Sequence, residues 1–214
     1  MNMKYVFLVS LVAFMLTSCV QENENASGLP VLGVKLPIMK EVNGKTVVDS
    51  LEHTIPPFSF INQDSTIITE KTVAGKVYLA DFFFTSCFTI CPKVKKNMKK
   101  AYEAFEDRSD FAILSHSIDT RHDTVGRLAW YANKFDISSN TWHLLTGDKE
   151  AIYKIAYDYY VTALEAEDAP GGFDHSGAVV LVDKKRRIRG MYDGTDPERM
   201  EQLVEDIQLL LDTE

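Results

Sequence analysis

Apolar stretches of strand length alternate with amphipathic segments of helix length from Pro56 to the C-terminus. Alternating or continuous apolar runs predict strands at 58–62, 66–69, 77–85, 111–119, 141–146, 179–183 and 187–192. Apolar residues spaced three or four positions apart predict helices at 92–106, 124–135, 148–159 and from Asp196 onward. This order indicates an α/β domain with a mostly parallel sheet, to which the last two strands add an antiparallel edge.

The chain before Pro56 follows a different pattern. Asn43-Gly44 is a strong turn signal and predicts a β-hairpin within 39–51. Residues 20–33 are polar and acidic without periodicity, which is typical of a flexible tether. Lys4 precedes an apolar run over 5–16 that is too short to span a bilayer and is typical of a cleaved signal peptide.

The end of this apolar run, Leu16 to Cys19, resembles a bacterial lipobox, in which Cys19 would be lipidated and become the mature N-terminus. The alternative is an ordinary signal peptide with an incidental cysteine. We therefore expect a lipoprotein signal peptide at 1–18, a lipid-anchored flexible tether at 19–45 and one folded domain at 46–214. The expected location is extracytoplasmic, on the periplasmic side, with the lipid in a bacterial membrane.

Charge and cysteine count narrow the class of function. The chain has 31 acidic and 23 basic residues, a net charge of -8, so it is a poor candidate for binding nucleic acid. With Cys19 assigned to the anchor, only Cys87 and Cys91 remain of three cysteines. One pair four positions apart would close a very small loop and stabilise little, so we expect these two thiols to have a chemical role.

Cys87 and Cys91 lie between the predicted strand 77–85 and the predicted helix 92–106. We expect both thiols at the start of that helix, on one face, because residues four apart in a helix share a face. The positive end of the helix dipole favours thiolates there. Such a pair can form a disulfide or bind a soft metal, and two purely structural thiols are the simpler alternative.

The remaining polar residues have simpler explanations than metal binding. His116 and His143 are predicted as strand residues and His122 as a loop residue. Asp119 and Asp123 follow a strand, where they could shape the site or a partner surface, although helix capping also explains Asp123. A solvated polar face of the first helix is predicted for Lys93, Lys95, Lys96, Lys99 and Lys100, with a docking patch for an acidic partner as the alternative.

The order of elements resembles a thioredoxin-like fold, and four local sequences resemble the Sco/SenC family of copper-handling proteins. The matching segments are Asp81 to Pro92, Ser117 to Thr124, Trp142 to Gly147 and Asp174 to Ser176. The resemblance extends from about Pro56 to the C-terminus. One departure is Phe88, where relatives often have proline, and this leaves the shape of the local turn open.

The resemblance implies a central mixed sheet flanked by helices, with an N-terminal β-hairpin extension. It also implies one copper ion, Cu(I) or Cu(II), bound by Cys87, Cys91 and His175. His175 lies in a predicted flexible loop, 171–177, that would face the cysteines. Asp174 and Asp119 are candidates for supporting the ligands. The implied client is the CuA-bearing subunit of cytochrome c oxidase, which would receive copper or have its cysteines reduced.

Two other functions remain open at this point. A thiol–disulfide oxidoreductase would use Cys87 as nucleophile and Cys91 as resolving thiol, so whether the protein is an enzyme stays open. The absence of a Trp-Cys-x-x-Cys motif and the presence of His175 count against that function. A copper sensor that delivers no metal is the second possibility.

Overall fold

The computed structural model describes residues 27–166, 168–169 and 172–214, without the side chains of Asp174 and His175. The predictions for the signal segment and Cys19 lie outside these residues. The strands are β1 Leu36–Val42, β2 Lys45–Leu51, β3 Ser59–Asn62, β4 Ile67–Thr69, β5 Val77–Phe83, β6 Phe111–Ser117, β7 Trp142–Thr146, β8 Ala163–Glu165, β9 Phe173–His175, β10 Ala178–Val182 and β11 Ile188–Asp193. The helices are α1 Cys91–Phe105, α2 Val125–Lys134, α3 Lys149–Asp158 and α4 Pro197–Thr213.

The central sheet has seven strands in the order β11-β10-β5-β6-β7-β3-β4. Only β5, β6 and β7 run parallel, and the other neighbouring pairs are antiparallel. The predicted central mixed sheet is therefore confirmed, while the expectation of a mostly parallel sheet was wrong. Besides the hairpin of β10 and β11, which was expected, β10 runs antiparallel to β5, and the hairpin of β3 and β4 runs antiparallel to β7, so only the strands joined through α1 and α2 are parallel.

Helices cover both faces of this sheet. On one face, Tyr131 of α2 packs on Phe83 of β5, and α1 packs beside α4. On the other face, Tyr159 at the end of α3 contacts Phe82 and donates a hydrogen bond to Tyr78. All residues of β5 and β6 are buried, as expected for central strands between two helical layers. Since β5 and β6 are parallel, the loops after them lie at the same edge of the sheet.

The predicted N-terminal hairpin is present as β1 and β2, which pair from Leu36↔Leu51 to Val42↔Lys45. β1 precedes residue 46, so it falls within the range that the sequence assigned to the tether. Most side chains of the hairpin are exposed, including Met39 and Val48. Among the residues that the structure describes, no helix has the length and apolar character needed to cross a bilayer.

Candidate metal centre

The segment that carries the two cysteines begins where β5 ends. Residues 84–90 form an irregular turn, and α1 starts at Cys91 with Pro92 in its first turn. Proline favours the first helical position because it lacks the N–H that would have no partner there. Cys87 therefore lies in the turn before the helix, and the prediction that both thiols start the helix was wrong for Cys87.

The two thiols nevertheless lie together. Cys87 is 7% exposed and Cys91 is 2% exposed, and both are in the thiol form. A hydrogen bond with Cys87 and burial raise the pKa of Cys91, so the predicted ease of thiolate formation does not hold for this thiol. A metal cation that binds here must displace a proton, which makes its affinity depend on pH.

Asp123 fixes the turn that leads to Cys87. Its carboxylate accepts hydrogen bonds from the Thr85 backbone N–H at 2.9 Å, the Thr85 hydroxyl at 2.5 Å and the Ser117 hydroxyl at 2.6 Å. Asp123 is only 1% exposed, so these bonds are protected from water. Helix capping does not explain this residue, because Thr124 caps α2. Of the roles considered for Asp123, helix capping is therefore excluded, and shaping the metal site remains a prediction.

Asp119 was predicted to support the metal ligands, but its described contacts are with His122 and Ser117. Its carboxylate lies 2.9 Å from Nδ1 of His122, and its backbone N–H donates to Ser117. Asp119 is buried, whereas the His122 side chain is 70% exposed. His122 is a loop residue as predicted, and the role of Asp119 toward the ligands remains a prediction.

His175 ends strand β9, which pairs antiparallel with β8 so that His175 lies opposite Ala163. The predicted flexible loop is thus partly a short strand, because its backbone hydrogen bonds go to β8. The side chains of Asp174 and His175 are outside the description, so their roles are untested. Among the side chains that are described, no group of three or more His, Cys, Asp or Glu is placed to hold a metal.

The backbone on both sides of His175 lies against the cysteine segment. Before it, the Phe173 ring lies 5.0 Å from the Phe84 ring, measured between centroids. After it, Gly177 has a φ of +65°, and a Cβ at this position would lie 3.2 Å from Cδ1 of Ile90. A larger residue here would strain the backbone and press on the turn before α1. The fold therefore holds the His175 segment beside both ends of the turn that contains Cys87.

Lys95 corrects the predicted solvated face of the first helix. Its ammonium group is buried and donates to Asp81 at 2.7 Å and to Ser115 at 2.7 Å. Ser115 also accepts a hydrogen bond from the Trp142 indole, and the ammonium lies 4.2 Å from the centre of the Phe83 ring. A buried charge needs such partners, because desolvation otherwise costs several kcal/mol, of the order of 3–5 when one partner is lost. The pair connects α1 to β5 and β6 beneath the cysteines.

Tyr131 is a residue of the site region that sequence reasoning missed. It is 2% exposed, and its hydroxyl has no hydrogen-bond partner among the described residues. Burial raises the pKa of Tyr131, with smaller contributions from the nearby Cys91 and Asp81. Its position three residues after Leu128, on the apolar face of α2, could have indicated burial.

His116 and His143 are strand residues, as predicted, and both are buried. Burial lowers the pKa of His116 to about 3 and that of His143 to about 4. The His116 ring stacks on Phe82, and Nδ1 of His143 lies 3.3 Å from the amide nitrogen of Asn62. Neither histidine belongs to the cysteine site.

Comparison with known proteins identifies the family. The SCO1/SenC family model matches residues 48–212, which is most of the chain. The chain belongs to the SCO1/SenC family. The predicted family is thereby confirmed, and the match includes the cysteine turn, the Asp123 loop and strand β9.

Three solved Sco structures agree with this fold. The SCO1/SenC family lipoprotein from Bacillus anthracis is 30% identical, with a TM-score of 0.67 over 74% of this chain and 95% of that one. Arabidopsis thaliana ScoI with copper bound is 28% identical, with a TM-score of 0.60 over 72% and 97%. BsSco, described with a disulfide switch as a member of the Sco family of cytochrome c oxidase assembly proteins, is 27% identical, with a TM-score of 0.61 over 74% and 93%. The predicted thioredoxin-like fold is confirmed.

Proposed function

We propose that this Sco protein is an extracytoplasmic copper carrier that binds one copper ion through Cys87, Cys91 and His175. The observation that carries the proposal is the pair of buried thiols within hydrogen-bonding reach of each other. Thiolate sulfurs are soft ligands that suit Cu(I). The copper-bound Arabidopsis relative supports copper as the metal.

His175 is proposed as the third ligand because the backbone around it lies against the cysteine turn. An imidazole adds a nitrogen ligand that suits Cu(II), so two thiolates and one imidazole can hold copper in both oxidation states. Asp174 is proposed to orient this imidazole, as acidic neighbours of ligating histidines commonly do.

The ligand set is tested by copper titration of the reduced domain. Cys87→Ser and Cys91→Ser should each abolish tight binding, whereas His175→Ala should keep much of the Cu(I) affinity and lose most of the Cu(II) affinity. His122→Ala is the matched control, because His122 is exposed and contacts Asp119 instead of the thiols. Equal Cu(II) binding by wild type and His175→Ala would remove His175 from the ligand set.

The proposed client is the CuA-bearing subunit of cytochrome c oxidase, which would receive copper by exchange of ligands. Support comes from BsSco, which is described as a cytochrome c oxidase assembly protein. In a strain that lacks the native gene, His175→Ala should fail to restore oxidase activity at low copper, as the cysteine variants should. Full rescue by His175→Ala, with failure of both cysteine variants, would replace copper delivery by thiol–disulfide exchange.

A thiol–disulfide oxidoreductase is the second candidate function. The hydrogen bond between Cys87 and Cys91 favours it, because disulfide formation requires two neighbouring thiols. The disulfide switch described for BsSco also supports it. Oxidation would consume both thiolates, so the oxidised protein should bind copper poorly until it is reduced.

The proposed location follows from the N-terminal sequence. Residues 1–18 are proposed as a lipoprotein signal peptide, with Cys19 lipidated, and residues 46–214 as the copper-binding domain. Residues 19–45 are proposed as the tether that joins the lipid to this domain, and its last part forms strand β1 of the hairpin. The lipoprotein relative from Bacillus anthracis supports this arrangement. Mass spectrometry of the membrane fraction tests it, since an unmodified Cys19 on the processed chain would contradict the lipid anchor.

A further inference from the structure

The helices next to the cysteines carry an unusual concentration of positive charge. Apart from Lys95, which is buried and paired with Asp81, α1 and α2 together have six lysine or arginine residues and one acidic residue, Glu103. The whole chain has the opposite balance, with a net charge of -8. The acidic residues are therefore concentrated elsewhere, and the surface beside the candidate metal centre differs in sign from the protein as a whole.

Two large side chains of α2, the cationic Arg127 and the aromatic Trp130, are exposed beside the turn that carries Cys87. Trp130 is 49% exposed, and the Arg127 guanidinium lies 4.2 Å from the centre of a Trp130 ring. The same Arg127 donates a hydrogen bond to the Thr85 hydroxyl at 2.9 Å, two residues before Cys87. The Arg127–Trp130 pair thus adjoins the turn that carries the first thiol.

Phe88 provides a second exposed ring, directly between the two cysteines. It is 76% exposed, although an exposed phenylalanine gains nothing for folding. Together, Phe88, Lys96, Arg127, Trp130 and Lys134 form what we call the basic–aromatic surface. Aromatic and arginine side chains are the types that contribute most to protein–protein interfaces.

A cavity of about 330 Å³ opens between α1 and the end of α2 on this surface, and its lining includes lysines at 96, 99 and 134 and one acidic residue, Asp136. Lys99 is partly engaged, with Asp136 at 3.6 Å, and Lys134 lies 5.6 Å from the Trp130 ring. A concave site with several ammonium groups fits a carboxylate side chain of a partner better than it fits the flat surface of an anionic membrane.

We propose that the basic–aromatic surface is the docking site for an acidic protein that exchanges copper with the thiols. The partner would place carboxylates in the lysine-lined cavity and an apolar contact against Phe88 and Trp130. This inference rests on the proposed function, because it supplies the contact through which a copper client would reach Cys87 and Cys91. The partner's chemistry follows from charge complementarity, which mainly raises the rate of association.

Two double variants that change the net charge by the same amount test the basic–aromatic surface. Lys96→Glu combined with Lys134→Glu reverses charge inside the surface, and Lys45→Glu combined with Lys71→Glu makes the same change at exposed positions outside it. The probe is the purified CuA-bearing domain of cytochrome c oxidase. At low ionic strength, the first variant should associate at least about tenfold more slowly than wild type, and the second should match wild type. Equal slowing by both variants would overturn the proposal.

A second probe separates this proposal from the proposed client. A glutamate-rich peptide should shift the Trp130 indole and the backbone amides around Lys96 and Lys134 in NMR spectra, and salt should reverse the shifts. If the peptide binds here while the CuA domain binds nowhere, the client is wrong and the docking surface stands. No shift with the peptide, or binding here only to phosphatidylglycerol vesicles, would overturn the acidic-protein partner.

Discussion

Between pH 7 and pH 5 the free energy of unfolding of this protein should fall, and replacing His116 with leucine should remove a large part of that fall. The imidazole is fully buried, stacked on Phe82 with a centroid distance of 4.9 Å and edge-on to Phe60 at 5.5 Å. Such surroundings disfavour the protonated ring. Burial accordingly lowers the pKa of His116 from 6.5 to about 3.

The sign of the effect follows from proton uptake. As the pH falls below 6.5, the unfolded chain protonates this histidine, while the folded protein does not until about pH 3. The unfolded state is therefore favoured on acidification, and the stability present above pH 6.5 is lost toward pH 3. From the two pKa values, His116 alone should cost the folded state roughly 2 kcal/mol at pH 5 and roughly 3 kcal/mol at pH 4, relative to pH 7.

The assay is urea unfolding of the reduced, copper-free domain at several pH values between 7 and 4, with wild type and His116→Leu compared. The variant should lose roughly 2 kcal/mol less than wild type between pH 7 and pH 5, whatever its stability at pH 7. Ile113→Val, on the same strand, is the control, because it weakens the core without changing a titratable group. A difference below roughly 0.5 kcal/mol between wild type and His116→Leu would show that the folded protein protonates His116 readily.

Three further predictions concern the surroundings of the thiols. Lys95→Met should lower the free energy of unfolding by about 3–5 kcal/mol, because it leaves the Asp81 carboxylate buried alone, whereas adding Asp81→Leu should recover most of the loss in the same urea assay. Tyr131→Phe should leave that free energy unchanged or raise it by up to about 1 kcal/mol, since the hydroxyl has no partner; a clear loss in calorimetry would contradict this. Asp123→Ala should lower Cu(I) affinity in a chelator competition, because the Thr85 turn loses its anchor, and unchanged affinity would separate that turn from the metal centre.

Much of the fold followed from periodicity alone. Apolar spacing predicted the first helix, and the residues that follow this spacing, Val94, Met98, Ala101, Tyr102 and Phe105, are all buried. The apolar run over 77–85 was predicted as a strand, and β5 is buried on both faces. These patterns are reliable because burial of apolar side chains determines which face of a helix or strand turns inward.

The errors near the site have a common physical cause. Lys95 was predicted to face solvent because lysine is rarely buried. Only the pairing of β5 with β6 in the folded protein brings together Asp81 and Ser115, which accept hydrogen bonds from its ammonium group. Tyr131 was missed because its phenol is polar although its ring packs on Phe83. Local pattern carries no information about such partners from distant parts of the chain.

The three candidate metal ligands could not all be predicted from the sequence in the same way. Cys87 and Cys91 were identifiable from spacing and context, although the start of α1 at Cys91 places Cys87 outside the helix. Placing His175 near them needed the family resemblance, since a lone histidine in a polar stretch carries little signal. His175 is far from both cysteines in the sequence, and only the tertiary structure brings its segment next to them.

The pairing of β10 with β5 also has a consequence for how the protein folds. Val179, just after the His175 segment, pairs with Asp81, just before the cysteine turn, so this contact closes a loop of 98 positions. Contacts between distant parts of a sequence form slowly because the intervening loop must first be closed. A chain that is still folding therefore exposes Cys87 and Cys91 before β10 can dock. During that interval the thiols are open to oxidants and to adventitious metal, and a variant with slower β10 docking should accumulate oxidised protein during expression without any change in the finished site.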